Sequence, residues 1–184
     1  MEKIIAISGS NSSSSINTKL IRYTSTLTKD VDIQMLDLTK FNIPIFSEDI
    51  EKEIGAPDDV KKLAKELLSA DGVIISTPEH NGMPTAFFKN ILDWLSRSAG
   101  QFLDGKQYLA DTPVLLMSAG PGKGGAAKAR ALVANMLKYA GADQIIEFQL
   151  DSFYTNFQDG VLTNEALSAE LKHKLKQLSE TVTP

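Results

Sequence analysis

A chain of 184 residues, 42 % of them hydrophobic, can bury one sizeable core, and we expect a single domain over residues 1–184. Nineteen basic against 23 acidic residues leave a net charge of −4, which argues against nucleic acid or an anionic membrane as a bulk partner. With no Cys and two His, the chain cannot form disulfides, thiolate nucleophiles or Cys-held clusters, and it has too few ligands for a multi-His metal site. No apolar run has the length of a signal peptide or a membrane span, so a cytoplasmic location is expected.

Residues 3–8 read as a buried strand, because Ile4, Ile5, Ala6 and Ile7 are continuous and partly β-branched. A Ser/Gly/Asn loop follows over residues 9–15. A helix then starts near Asn17, with Leu20, Ile21, Thr24 and Leu27 on one face. Residues 32–38 form a second strand, and residues 39–55, which include Pro44, read as irregular. Pro57 suits the first position of a helix whose apolar stripe is Val60, Leu63, Ala64, Leu67 and Leu68; Asp58 and Asp59 suit its positive end.

The third strand is expected over residues 72–77. It breaks through a turn holding Pro78, Gly82 and Pro84 into an amphipathic helix with Phe87, Phe88, Ile91, Leu92, Trp94 and Leu95. Residues 98–111 read as a connection with a turn at Asp104-Gly105. A fourth strand follows at 113–118, then the glycine loop 120–125, a helix over 126–139 ending at Gly141, a fifth strand at 144–148, and a last helix from Thr163 or Asn164. Leu167, Leu171, Leu175 and Leu178 line one side of that helix.

The order βαβαβαβαβα implies an α/β fold: a parallel sheet of five strands between two helical layers. Right-handed crossovers and five strands fit a three-layer flavodoxin-like arrangement of order 2-1-3-4-5, whose switch point lies between the first and third strands. The loops after those strands, 9–18 and 78–84, should therefore meet over one crevice.

The first of these loops, Gly9-Ser-Asn-Ser-Ser-Ser-Ser-Ile-Asn-Thr18, leads into a helix N-terminus, where free amides and hydroxyls attract a phosphate. It carries no Walker lysine motif, so a terminal monophosphate fits better than a nucleoside triphosphate; an ordinary capped polar loop is the alternative. Gly120-Pro-Gly-Lys-Gly-Gly125 matches G-x-G-x-x-G, and Glu147 stands roughly where a ribose-binding acid would. A dinucleotide fold would need further βα units after Glu147, so the loop reads instead as another wall of the crevice. Lys123, Lys128 and Arg130 either assist an anionic ligand or are solvated.

Taken together, these stretches resemble the NADPH-dependent FMN reductase family. The sharpest part is Pro78-Glu79-His80-Asn81-Gly82-Met83-Pro84 followed by Phe88-Lys89-Asn90-Ile91-Leu92-Asp93-Trp94, where the family shows Pro-Glu-Tyr-Asn, Pro, then Leu-Lys-Asn-Ala-Ile-Asp-Trp. The resemblance implies that Ser10, Ser12, Ser15, Ile16, Asn17 and Thr18 hold the phosphate of FMN. It also implies that Pro78, Glu79, His80, Asn81 and Gly82 lie along the isoalloxazine, mainly through backbone groups, with Ser118 closing the other side. It further implies a homodimer or homotetramer with the flavin near a subunit interface, for which the helix of Phe87, Phe88 and Trp94 is a candidate.

Two departures stand out. Ser12 occupies a place where the family commonly has Arg. A charge-assisted hydrogen bond is worth about 1.5–3 kcal/mol, so FMN is expected to bind roughly ten- to a hundredfold more weakly, offset in part by the hydroxyls of Ser12 to Ser15. His80 replaces the family's Tyr, either as a pH-sensitive group beside the flavin or as a ring that only packs.

The implied chemistry is hydride transfer from NADPH or NADH to bound FMN, then reduction of a small acceptor (a quinone, azo compound, chromate or similar) in the same space, with ping-pong kinetics. The protein need supply no certain catalytic side chain and no metal. Glu79 reads as orienting its turn rather than as a general base, His173 as a solvated helix residue, and Asp93 with Arg97 as a helix-surface pair. The alternatives are a flavodoxin-type electron carrier without NAD(P)H activity of its own, and a binding module that has lost its flavin.

Overall fold

The computed structural model describes residues 2–182. Five parallel strands, β1 (Lys3–Ser8), β2 (Asp32–Leu36), β3 (Gly72–Thr77), β6 (Val114–Ala119) and β7 (Ile145–Leu150), form a sheet of order β2-β1-β3-β6-β7. Two two-stranded hairpins stand apart from it: β4 (Glu79–His80) with β5 (Met83–Pro84), and β8 (Phe157–Gln158) with β9 (Val161–Leu162). This is the flavodoxin-like order expected from the βα alternation.

Side-chain alternation divides the central strands between two cores. Ile5, Ile7, Val73, Ile75, Val114 and Leu116 pack against α3 (Asp58–Leu68), α4 (Ala86–Leu95) and α6 (Ala127–Tyr139). Ile4, Ala6, Ile74, Leu115 and Met117 pack against α1 (Ile16–Thr24) and α8 (Glu165–Val182), which brings Leu171, Leu175 and Leu178. With both faces covered, β3 and β6 are buried at every position, which is why they read as continuous apolar runs.

Several local expectations need correction. β2 ends at Leu36; Asp37 then caps a 3-10 turn over Leu38–Lys40 with its side chain. The segment read as irregular contains α2 (Glu48–Ile54), which buries no residue and so carries no apolar stripe. Pro57 is the extended cap of α3 (ψ 151°) rather than its first helical residue. A short helix, α5 (Ser98–Gln101), begins the next connection, and another, α7 (Phe153–Asn156), follows β7. The Asp104-Gly105 turn is present, both residues having positive φ (51° and 83°). Beyond α6, the Gly141 amide donates to Lys138 O and the Ala142 amide to Leu137 O, the paired bonds of a Schellman stop.

Candidate functional site

Strand register brings three loops to one level. Ser8 stands beside Ser76, and Thr77 beside Ser118, so the chain leaves β1, β3 and β6 together at the carboxyl edge of the sheet. Between the loops lies an open crevice of about 530 Å³, within the range of small-molecule sites. Ser10, Ser12, Ser15, Ile16 and Asn17 line one side, Pro78, Glu79 and His80 another, and residues 119–122 and 124–126 a third, with Tyr154 at the edge. Thr18 faces a neighbouring groove instead. Asn81 and Gly82 turn the hairpin beyond the crevice wall, and Ser118 is wholly buried behind the glycine loop.

The serine loop is held by its own hydroxyls. Ser8 Oγ accepts from the Ser10 amide, Ser10 Oγ from the Ser12 amide, and Ser12 Oγ from the Ser14 amide. Ser15 caps α1, its Oγ accepting from the Thr18 amide at 3.1 Å. The amides of Ile16 and Asn17, in the first turn of α1, keep no acceptor among the described residues. Gly9 lets the loop pass close to α4: a Cβ there would lie 2.8 Å from the Phe88 ring.

Thr85, which the sequence reading passed over, fastens this contact. Its hydroxyl donates to Gly9 O at 2.6 Å and accepts from the Phe88 amide at 3.1 Å, which also caps α4. A Thr just before the apolar stripe of α4 is a legible cap signal; its reach to Gly9 is not.

The Asn17 side chain ties the start of α1 to the sheet. Its side chain is buried; Oδ1 accepts from Ser76 Oγ (2.8 Å) and the Ala119 amide (3.0 Å), and Nδ2 donates to Ala119 O (3.3 Å). The carboxamide pins α1 to β3 and β6, and the Asn17 backbone N–H keeps no acceptor among the described residues.

The segment 79–84 is a hairpin with a two-residue turn, Asn81 (φ 54°) and Gly82 (φ 78°), the Asn-Gly pair such a turn favours. His80 is exposed on it, paired in register with Met83. Glu79 reaches across to α6, where a carboxylate oxygen accepts from the Ala129 amide at 3.1 Å. Helix α6 needs that partner: Ala126, left-handed at φ 62°, offers no side-chain cap. Glu79 thereby joins the hairpin to the glycine loop.

The same bond accounts for the G-x-G-x-x-G match. At the α6 N-terminus the Ala127 amide donates to Gly124 O and the Ala129 amide to Glu79, so a protein carboxylate already sits where a bound pyrophosphate would be held. Glu147 is likewise engaged, accepting from Arg130 Nε at 2.8 Å. The loop is a wall of the crevice. Lys128 lays its stem near Gly82, 3.7 Å from where a Cβ would be, and Arg130 is turned inward.

Outside the crevice, the expected Asp93–Arg97 pair does not form. Asp93 pairs with Lys89 at 2.6 Å, while Arg97 lies 3.5 Å from Glu51 and over the Phe46 ring. Phe88 and Trp94 are wholly buried, and the Trp94 indole donates to Pro44 O, so neither offers itself to a partner subunit. Across the serine loop, the side-chain hydrogen bond from Thr39 holds the Asp37 carboxyl below its ordinary range against the opposing cost of desolvation, assisted by the Thr39 amide and by the charges of Lys40 and Arg22. Burial pushes the Tyr108 phenol well up.

Residues 2–150 match the family model described as NADPH-dependent FMN reductase. A quinone reductase of Escherichia coli (strain K12) is 34 % identical over 127 residues, covering 67 % of this chain and 59 % of the relative. An NAD(P)H-dependent FMN reductase of Pseudomonas aeruginosa is 30 % identical over 129 residues, covering 70 % and 65 %. The chain thus spans about six-tenths of the length of the curated relatives it matches.

Among solved structures, a flavoenzyme NAD(P)H:(acceptor) oxidoreductase from Paracoccus denitrificans gives a TM-score of 0.76 at 21 % identity, over 99 % of this chain and 97 % of that one, a likeness of fold. With the family match running from β1 to the end of β7, the chain belongs to the NADPH-dependent FMN reductase family.

Proposed function

We propose that the protein is an NAD(P)H-dependent, FMN-containing oxidoreductase of the quinone-reductase type. In this reading, residues 1–184 form one flavin-binding domain that acts in the cytoplasm on a small electrophile such as a quinone, an azo compound or chromate. The observation that carries it is the pair of unclaimed amides at the start of α1, ringed by the hydroxyls of Ser10 and Ser12, at the mouth of the crevice. That donor set fits a phosphate monoester dianion: two N–H groups on a helix dipole and two hydroxyls, with no carboxylate among the serine-loop residues. The hairpin carrying Pro78, Glu79 and His80 and the glycine loop then face each other across the space left for a planar ring.

FMN bound there would supply the hydride chemistry between a reduced nicotinamide and an acceptor. The chain's own residues bind and orient. Ser15 holds the first turn of α1, Thr85 sets the distance from the serine loop to α4, and Glu79 keeps the hairpin against α6. His80 is at the rim of the crevice and exposed; His80→Phe should lower kcat/KM if the imidazole contacts the reacting molecules, and an unchanged kcat/KM would reduce its role to packing. A homodimer or homotetramer accords with the exposed Tyr139 (85 %) beside Met136 and Leu92 on the α4–α6 face.

The first test is the visible spectrum of the purified protein after FMN is added and the excess removed. Retained flavin that bleaches with NADPH or NADH supports the reductase. Retained flavin that neither reductant bleaches would transfer the reading to an electron carrier, and no retention even at high FMN would end it.

A further inference from the structure

The glycine loop is held from behind by a polar chain that no contact with a ligand requires. Arg130, in the second turn of α6, has a side chain only 16 % exposed and reaches three acceptors. Nε donates to Glu147 Oε2 at 2.8 Å, and Nη1 donates to Gln149 Oε1 at 2.9 Å and to Ser118 Oγ at 3.0 Å. Ser118, itself buried, donates to Gly125 O at 2.6 Å.

A guanidinium only donates. With Arg130 against its oxygen, the Ser118 hydroxyl has one sensible direction for its proton, toward Gly125. The same Nη1 also holds Gln149, whose side chain is the floor beneath Gly125: a Cβ on that residue, at φ 50°, would lie 2.6 Å from Gln149 Cγ. One side chain thus fixes both the hydroxyl that holds the Gly125 carbonyl and the amide that packs under its Cα.

The effect on the loop is directional. The carbonyls of Gly120, Gly122, Gly124 and Gly125 all accept from inside the protein, from Phe153, from Gly125 and Ser152, from Ala127 and from Ser118 respectively. Among the described residues the amides of Gly122, Lys123 and Gly124 have no protein acceptor, and Gly122 and Gly124 line the crevice. Oxygens held inward and N–H groups left over make a wall suited to electron-rich atoms.

We propose that Arg130 is a positioning residue for this wall: acting through Ser118 and Gln149, it keeps the Gly125 carbonyl inside and the free amides of the loop available to the ligand. This rests on the flavin reading for the identity of the ligand, but not for the behaviour of the loop.

The test uses Arg130→Gln, whose side-chain oxygen can accept and so lets Ser118 turn its proton away, and Ser118→Ala, which removes a single oxygen. In FMN-free protein, exchange of the loop's hydrogen-bonded amides, Gly120 and Gly125, should quicken about tenfold or more in both, while exchange in β1 stays at the wild-type rate. FMN titrated by fluorescence quenching should bind about tenfold more weakly to each variant, and the double variant should be within about twofold of Arg130→Gln, since that change already releases both Ser118 and Gln149.

Loop exchange within about twofold of wild type, exchange quickened equally in β1, or binding losses that multiply in the double variant would each overturn the proposal. If wild-type protein binds no FMN, the flavin reading fails, and the exchange of the loop still decides the role of Arg130.

Discussion

The serine loop and the glycine loop share one grammar, strand then small residues then helix, and end in opposite states. Residues 9–15 carry their own cap in Ser15 and leave the first amides of α1 open. Residues 120–125 carry no cap, and α6 borrows the carboxylate of Glu79. An anion site at a helix N-terminus therefore depends less on the glycines that precede it than on whether the protein has already spent the N–H groups.

The largest way to break this comparison is at Asn17, which holds the serine loop in place from the core. Asn17→Ala strands the Ser76 hydroxyl and both polar groups of Ala119; at about 1–3 kcal/mol for an unsatisfied buried group, we expect a loss of about 3 kcal/mol in urea unfolding. A loss below about 1 kcal/mol would mean that the network is not what pins α1.

The next change sharpens the open end. Ser12→Arg places a cation beside the unclaimed amides and should tighten FMN by roughly ten- to a hundredfold at low salt, with the gain shrinking as salt is raised. Calorimetric titration at two ionic strengths checks it; unchanged affinity would place the phosphate elsewhere.

Glu79→Ala acts on the closed end. It removes a cap supplied from 50 residues away, and an N-cap loss of about 1 kcal/mol is expected in thermal or urea unfolding. The comparison also predicts that the vacated N-terminus of α6 gains weak affinity for inorganic phosphate, visible as amide shifts at residues 127–129; no such shifts would show that Glu79 is not what closes it.

The smallest effect is at Asp37, whose carboxyl is exposed. Its folded pKa lies below the ordinary 3.8, so its contribution to stability is complete above that value and is lost as pH falls through the folded pKa. Asp37→Asn should therefore lower the melting temperature slightly at pH 5 and above, with the difference from wild type closing as the pH falls toward about 3.

Particular residues show how far the sequence could be read. Ile4 to Ile7 and Val73 to Ile75 declare buried strands because both faces of the sheet are covered. Helix α2 escaped because an exposed helix has no apolar period to display; its only local signs were Ser47 as cap and three acids in the first turn. Ser10, Ser12, Ser15 and Ile16 were legible as a polar loop that opens a helix. Asn17 and Ser118 were not legible as core residues, since a polar side chain shows nothing of its burial until the elements around it close. Thr85 announced a cap and concealed its second partner.

Periodicity and turn chemistry, which act within a few residues, determined the five strands, their parallel order and the meeting of the loops at residues 9–18 and 78–84 over one crevice. Only the tertiary structure decided which helix start keeps its first amides unpaired. That choice rests on hydrogen bonds made over long separations, Glu79 to Ala129 and Asn17 to Ala119, and a hydrogen-bonding group selects its partner by position in space, which local sequence does not encode.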